Sequence, residues 1–225
     1  MKCDLLMKPS PLRTPVILAS ASPRRRQLFA LLGIPFIVRA ADVDETPLPA
    51  EKPHEMASRL ARMKAQVVAA EVQGLVVAAD TLVVLDSEIL GKPADIADAV
   101  RILRRLRGRT HRVMTAFTVL RTDSGREQTE VVQSTVEMRP YTEDEIAAYV
   151  AGGDPLDKAG AYAIQHGTFM PVARLSGCPA NVMGLPVCKI DAVLRAQGLD
   201  LGRTSVQLCQ PAASFCAIRD RVLPA

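Results

Sequence analysis

The chain has 225 residues, is 48% hydrophobic and carries a formal net charge of +4 at pH 7. That is enough material for one compact domain, or two lobes of one, with a substantial core. The modest charge is spread along the chain, only 4% of residues are aromatic and there is no Trp. It fits a small anionic ligand and argues against a nucleic-acid groove, which needs a basic stripe or an aromatic platform.

Met1 to Pro9 carries Asp4 early and has too short an apolar core for a signal peptide. No apolar run approaches the roughly 18 residues that span a bilayer, so no membrane association is expected. The five cysteines (Cys3, Cys178, Cys188, Cys209, Cys216) match no zinc spacing. They imply reduced thiols and a cytoplasmic setting.

Val16 to Ala19 reads as a buried strand, and Gln27 to Leu32 as an amphipathic helical segment ending at Gly33. Between them, Ser22 occupies an N-cap position and Pro23 the first helical position, where its missing N–H costs nothing. A strand, a turn of small residues and a helix N-terminus present converging N–H groups. Arg24, Arg25 and Arg26 add charge, so the segment suits either several phosphates or a solvated basic turn.

Ile34 to Lys52 reads as an extended loop holding Asp42, Asp44, Glu45 and Thr46. A helix follows from about Pro53 to Glu71, with Met56, Leu60, Met63 and Val67 on its apolar face and Arg59, Arg62 and Lys64 to its sides. Leu75 to Leu85 is β-branched and strand-like, interrupted at Ala79-Asp80-Thr81. A carboxylate among buried residues needs a partner. That partner is either a buried Arg or Lys in a structural bridge, or a metal ion or catalytic water.

Ile89 to Pro93 reads as a turn presenting Lys92. Ala97 to Leu106 reads as a helix, then His111 to Arg121 and Glu127 to Met138 as a hairpin turning at Thr122 to Gly125. Thr142 to Glu145 is a capping box opening a helix to about Ala151, which Gly152-Gly153-Asp154-Pro155 ends. Residues 156–176 read as a loop with short strands, and Val182 to Gln197 as a helix. The tail after Gly198 has weak periodicity.

Arg24, Arg25, Lys64 and Lys92 fall in turns or helix ends, and each alone could be an ordinary surface cation. Together with Asp80 they suit hydrolysis of a polyphosphate with a divalent ion. His54, His111 and His166 sit in unrelated contexts, so no Ser–His–Asp or Cys–His arrangement competes.

In this order, seven segments resemble the Maf family of nucleoside triphosphate pyrophosphatases. They are Ser-Ala-Ser-Pro-Arg-Arg (20–25), Asp-Glu-Thr-Pro (44–47), Arg-Met-Lys-Ala (62–65), Ala-Ala-Asp-Thr (78–81), Leu-Gly-Lys-Pro (90–93), Asp-Lys-Ala-Gly-Ala-Tyr-Ala-Ile-Gln (157–165) and Asn-Val-Met-Gly-Leu-Pro (181–186). The resemblance covers roughly residues 15–197, leaving 1–14 as an N-terminal extension and 198–225 as a C-terminal tail. It implies an α/β fold with an elongated mixed β-sheet flanked by helices, and two lobes around a deep cleft, similar to inosine-triphosphate pyrophosphatases.

The implied reaction is NTP + H₂O → NMP + diphosphate, with a divalent metal cation, Mg²⁺ or Mn²⁺. Asp80 falls on the family's catalytic base, Glu45 and Asp80 on its metal ligands, and Ser20, Arg25, Lys64 and Lys92 on its phosphate contacts. Arg24, Thr81 and Gln165 match the specificity positions of the subgroup acting on dTTP and UTP. A Gln amide suits a pyrimidine because it can donate to a carbonyl and accept from an imide N–H.

Two segments depart from that subgroup. His166-Gly167-Thr168 replaces small residues after Gln165, and Gly177-Cys178-Pro179-Ala180 stands where aromatic residues are more usual. Alternatives are a modified-purine (7-methyl-GTP) preference, or a non-catalytic nucleotide-binding regulator of cell division. A homodimer is expected by analogy with the family.

Overall fold

The computed structural model describes residues 14–199 and 201. Most of the N-terminal extension, most of the C-terminal tail, and Cys3, Cys209 and Cys216 lie outside the described residues.

In chain order the elements are β1 (Val16–Ala19), α1 (Pro23–Ala30), β2 (Ile37–Val38), α2 (Pro53–Ala69), β3 (Leu75–Leu85) and β4 (Glu88–Leu90). They continue with α3 (Ile96–Leu106), β5 (Thr110–Arg121), β6 (Arg126–Met138), α4 (Glu143–Ala151), β7 (Val172–Ser176), α5 (Pro179–Val182) and α6 (Val187–Ala196). Among the described residues the strands form one mixed sheet in the order β2-β1-β3-β5-β6-β7, with β4 also on β3. The elongated mixed sheet flanked by helices is therefore as expected.

The long strand β3 pairs along its full length with β5, from Leu75↔Arg121 to Val84↔Arg112. Its other edge is shared. β1 runs parallel to Leu75–Ala78, and β4 runs antiparallel to Val83–Leu85. Residues 79–82 have no strand beside them on that edge. The C-terminal ends of β1 and β4 both deliver the chain into this gap, from opposite sides.

Side chains alternate across β3. Even-numbered residues Val76, Ala78, Leu82 and Val84 pack towards α2, with Leu60, Ala61, Ala65 and Val68. Odd-numbered residues form two clusters on the opposite face. Leu75, Val77 and Ala79 pack with α1 and α6, whereas Val83 and Leu85 pack with α3 and α4. The two clusters are the two packing regions on that face, and the gap at residues 79–82 lies between them.

Several local readings change. Asp80 does not interrupt β3: it keeps its place opposite Ala116 because Lys64 satisfies its carboxylate. Glu88–Leu90 is strand, since all three residues pair with β3 before the turn begins. Ile37–Val38 adds a short parallel strand within the expected loop.

On α2 the buried stripe is Met56, Leu60, Lys64 and Val68, whereas Val67 is exposed. Residues 154–157 and 159–161 form 3₁₀ turns, and Val172–Ser176 is the strand described between 156 and 176. The expected helix at 182–197 is two helices, α5 and α6. Gly184, at φ +104°, and Pro186 separate them, because neither a left-handed residue nor Pro continues a helix.

Candidate active site

The gap in the β3 edge opens into a cleft of about 690 Å³. Ser20, Arg24, Arg25, Glu45, Lys64, Asp80, Thr81, Lys92 and Gln165 all line it. The structure thus brings the nine residues that the family resemblance assigns to the site to one cavity.

The β1–α1 turn forms as its sequence requires. Ser22 caps α1, its Oγ accepting from the Arg25 N–H at 3.4 Å, with Pro23 at the helix start. The Ser22 N–H donates to Ser20 Oγ at 3.2 Å, which closes the turn over the end of β1.

Asp80 projects from β3 towards α2. Lys64 meets it there, its Nζ 2.6 Å from Asp80 Oδ1 and 2.5 Å from Glu45 Oε1. One buried ammonium therefore serves two carboxylates from different segments. Burial alone would raise the Glu45 pKa, but the Lys64 bond and charge outweigh it. With smaller help from Lys92 and Arg25, they hold the carboxyl below its usual range.

Among the described residues no group of three or more His, Cys, Asp or Glu could hold a metal. Two carboxylates at a cleft do suit a hard cation of the Mg²⁺ or Mn²⁺ type. Such ions keep several waters and take further oxygens from a substrate's phosphates.

Arg25 lies across β3 from Asp80. Its Nε donates to the Gly184 carbonyl at 2.9 Å and its Nη2 to Thr81 Oγ1 at 3.0 Å. A Cβ on Gly184 would sit 3.3 Å from Thr81 Oγ1 and 3.4 Å from Arg25 Nε, on a left-handed backbone. Glycine is what permits this close approach. Burial pulls the guanidinium below its ordinary pKa, opposed by attraction from Asp80 and Glu45. Lys92 stands exposed at the cleft rim.

Gln165, also in the cleft lining, is half-buried, and among the described residues its amide has no hydrogen-bond partner. The segment leading to it is tied down by charge. Buried Lys158 donates to the Asp154 backbone carbonyl, to Asp154 Oδ1 at 3.0 Å and to Asp157 Oδ1 at 2.7 Å. Arg24 reaches Asp157 from α1 at 3.3 Å, so it bridges the phosphate-type turn to this segment. His166 packs edge-on against Tyr149 and accepts the Phe169 N–H at Nδ1, 2.9 Å away. The departure after Gln165 is therefore built into local packing.

Two supports of the site carry no local sequence signal. Arg59 pairs with Glu51 through bonds of 2.6 and 2.8 Å and donates to the Thr46 carbonyl, clamping the loop that carries Glu45. Thr115 backs Thr81 from β5 at 3.0 Å. Neither follows a local spacing rule, because each depends on chain register or loop path.

Fold and site together define an α/β protein with a cleft at a break in its sheet edge, lined by cations and built around a carboxylate pair that Lys64 bridges. The chain belongs to the Maf-like protein family, which matches residues 15–197.

Among curated relatives, a protein of Geobacter sulfurreducens (strain ATCC 51573 / DSM 12127 / PCA) named dTTP/UTP pyrophosphatase is 48% identical over 184 residues, spanning 81% of this chain and 96% of that one. One of the same name from Myxococcus xanthus (strain DK1622) is 48% identical over 191 residues, 84% of this chain and 95% of that one. The structure of the Staphylococcus aureus Ham1 protein matches with a TM-score of 0.50 at 17% identity, covering 81% of this chain and 99% of that chain, and shows a shared fold. Among the described residues no helix is long and apolar enough to cross a membrane.

Proposed function

We propose that this protein is a nucleoside triphosphate pyrophosphatase that hydrolyses NTP to NMP and diphosphate, with dTTP and UTP as its preferred substrates. The observation that carries the reading is the Glu45–Lys64–Asp80 arrangement at the sheet break, with Arg25 and Lys92 around the same cleft. The names of relatives matching nearly their whole length support the substrate class.

Asp80 is the base that orients and deprotonates the attacking water. Lys64, relieved of part of its carboxylate pairing by incoming phosphate oxygens, joins Arg25 and Lys92 in neutralising the charge that builds during transfer. Ser20 and the turn amides receive phosphate oxygens at the N-terminal end of α1. Glu45 and Asp80 would hold a divalent cation, which when bound supplies further charge neutralisation on the phosphates. Gln165 reads the base edge, with Arg24 holding the adjoining segment in place.

The test is diphosphate release from a panel of common and modified triphosphates with Mg²⁺ or Mn²⁺. The expected result is hydrolysis with dTTP and UTP favoured. Binding without release would establish a nucleotide sensor instead, and a preference for 7-methyl-GTP would overturn the pyrimidine assignment alone.

A further inference from the structure

Tyr149, on α4, is buried and does not line the cleft. Its hydroxyl nevertheless joins the segment that does. The buried Ala163 N–H donates to Tyr149 Oη at 3.0 Å, and that oxygen lies 2.7 Å from Asp154 Oδ2. A backbone N–H only donates, so the Tyr149 oxygen accepts there and its single hydrogen points to Asp154. Burial would raise the Asp154 pKa, but the bonds from Tyr149 and Lys158 outweigh it and keep the carboxylate charged. The direction of each bond is therefore fixed, from Ala163 to Tyr149 to Asp154, with Lys158 donating to the same carboxylate.

The ring of Tyr149 acts on the other side of Gln165. It stacks on Phe169 with centroids 4.3 Å apart and planes 13° apart, and meets His166 edge-on. Beyond that point Arg139 donates to the Phe169 and Met170 carbonyls at 2.8 and 2.7 Å. Gln165 thus sits on a short span held at Ala163 by a hydroxyl and at Phe169 by a ring and a guanidinium. Removing the hydroxyl would leave a buried N–H two residues before Gln165 without its acceptor, and such a group moves until it finds another. An amide that must meet a base edge within hydrogen-bond distance tolerates little of that movement.

We propose that Tyr149 is a positioning residue for base choice: through the Ala163 N–H its hydroxyl fixes the backbone from which Gln165 projects, without touching the nucleotide. The proposal rests on the triphosphate reading above and on the base-reading role given there to Gln165.

The experiment compares kcat and KM on dTTP, UTP, ATP and GTP for wild type, Tyr149→Phe, Gln165→Ala and the double variant. Phenylalanine keeps the stacked ring and removes only the hydroxyl. It should lower kcat/KM on dTTP and UTP about five- to tenfold, mainly through KM, the pattern of lost substrate binding. The same variant should stay within about twofold of wild type on ATP and GTP, which do not present the pyrimidine edge. Added to Gln165→Ala, it should cost less than about twofold more on dTTP, because residues acting through one another are not additive. Amide exchange in the nucleotide-free protein gives a readout independent of activity. Ala163 should exchange about tenfold faster or more in Tyr149→Phe, with Val83 in β3 unchanged.

Equal losses on all four triphosphates would show a merely structural role and overturn the proposal. Full additivity with Gln165→Ala, or unchanged exchange at Ala163, would overturn it as well. If Tyr149→Phe melts below the assay temperature, Asp154→Ala decides the matter, since it removes the acceptor that orients the hydroxyl. A lost pyrimidine preference supports the proposal there, and an unchanged ratio overturns it. Wild-type protein that releases no diphosphate from any triphosphate overturns the proposed function itself, whereas base-independent losses in an active, pyrimidine-preferring enzyme overturn only this role of Tyr149.

Discussion

At the Asp80 end of the cleft, Lys64, Glu45, Asp80 and Arg25 each have a partner within hydrogen-bond reach. Gln165, which lines the same cleft, has no hydrogen-bond partner for its amide among the described residues, and under the proposed function that amide meets the base. Desolvated charges are costly unless paired, so this cluster neutralises itself, and under the proposed function a triphosphate would enter it by exchanging partners. A half-exposed neutral amide can wait on water at little cost. The cluster should therefore govern rate and charge, and the amide should govern choice of base.

The sharpest way to break that division is Asp80→Asn. It keeps the shape and removes the base, so turnover should fall by at least about two orders of magnitude, while binding measured by calorimetry persists. Near-wild-type turnover in a folded variant would remove Asp80 from the chemistry.

Next in size are the cations. Arg25→Ala and Lys92→Ala should each cost roughly 10- to 100-fold in kcat/KM on every triphosphate, as expected for charge-assisted contacts. Lys92 is exposed, so its variant should melt with wild type. A variant that unfolds readily yet turns over normally in its folded fraction would return either cation to a structural role.

The base end is tested by Gln165→Glu, which removes the amide donor and places charge against a pyrimidine carbonyl. Wild type should favour dTTP and UTP over ATP and GTP by about tenfold or more in kcat/KM. The variant should lose that preference and keep its phosphate contacts. Equal rates on all four substrates in wild type would dissolve the contrast between the two ends.

The smallest effect concerns the Glu45 loop. Arg59 holds the Glu51 carboxyl down from 4.5 to about 2. A depressed carboxyl pKa gives stability that is complete above pH 4.5 and lost as pH falls from about 4.5 towards 2. Arg59→Lys keeps the charge but not the paired geometry. It should reduce that acid-dependent part of stability, seen in melts between pH 2.5 and 6, and raise the half-saturating Mn²⁺ concentration about threefold. An unchanged cation requirement would show that the clamp does not position Glu45.

The phosphate-type turn was legible in the sequence because its signals act within one helical turn: Ser22 as cap, Pro23 at the start, and arginines directly behind. The hairpin at residues 122–125 and the capping box at Thr142 were equally local. Asp80 was recognisable as a buried acid needing a partner, but the choice between ion pair and chemistry stayed open. Lys64 pairs with it in the structure, and the same contact places Glu45 beside both, so a bridge and a candidate catalytic centre coincide. The apolar stripe on α2 was misplaced for the same reason, since Lys64 takes a buried position that periodicity reserves for hydrophobes.

What the sequence determined by itself was the set of elements and the chemistry each one carries, because capping, turn formation and alternation are decided by near neighbours. Only the tertiary structure decided how those groups meet. β1 and β4 stop on either side of residues 79–82, and that gap, a property of three strands at once, makes the cleft. Register alone sets Thr115 behind Thr81, and the loop path alone brings Glu45 to Lys64. Such contacts join residues distant in the chain, so no local pattern encodes them, and the packing of the whole sheet holds them in place.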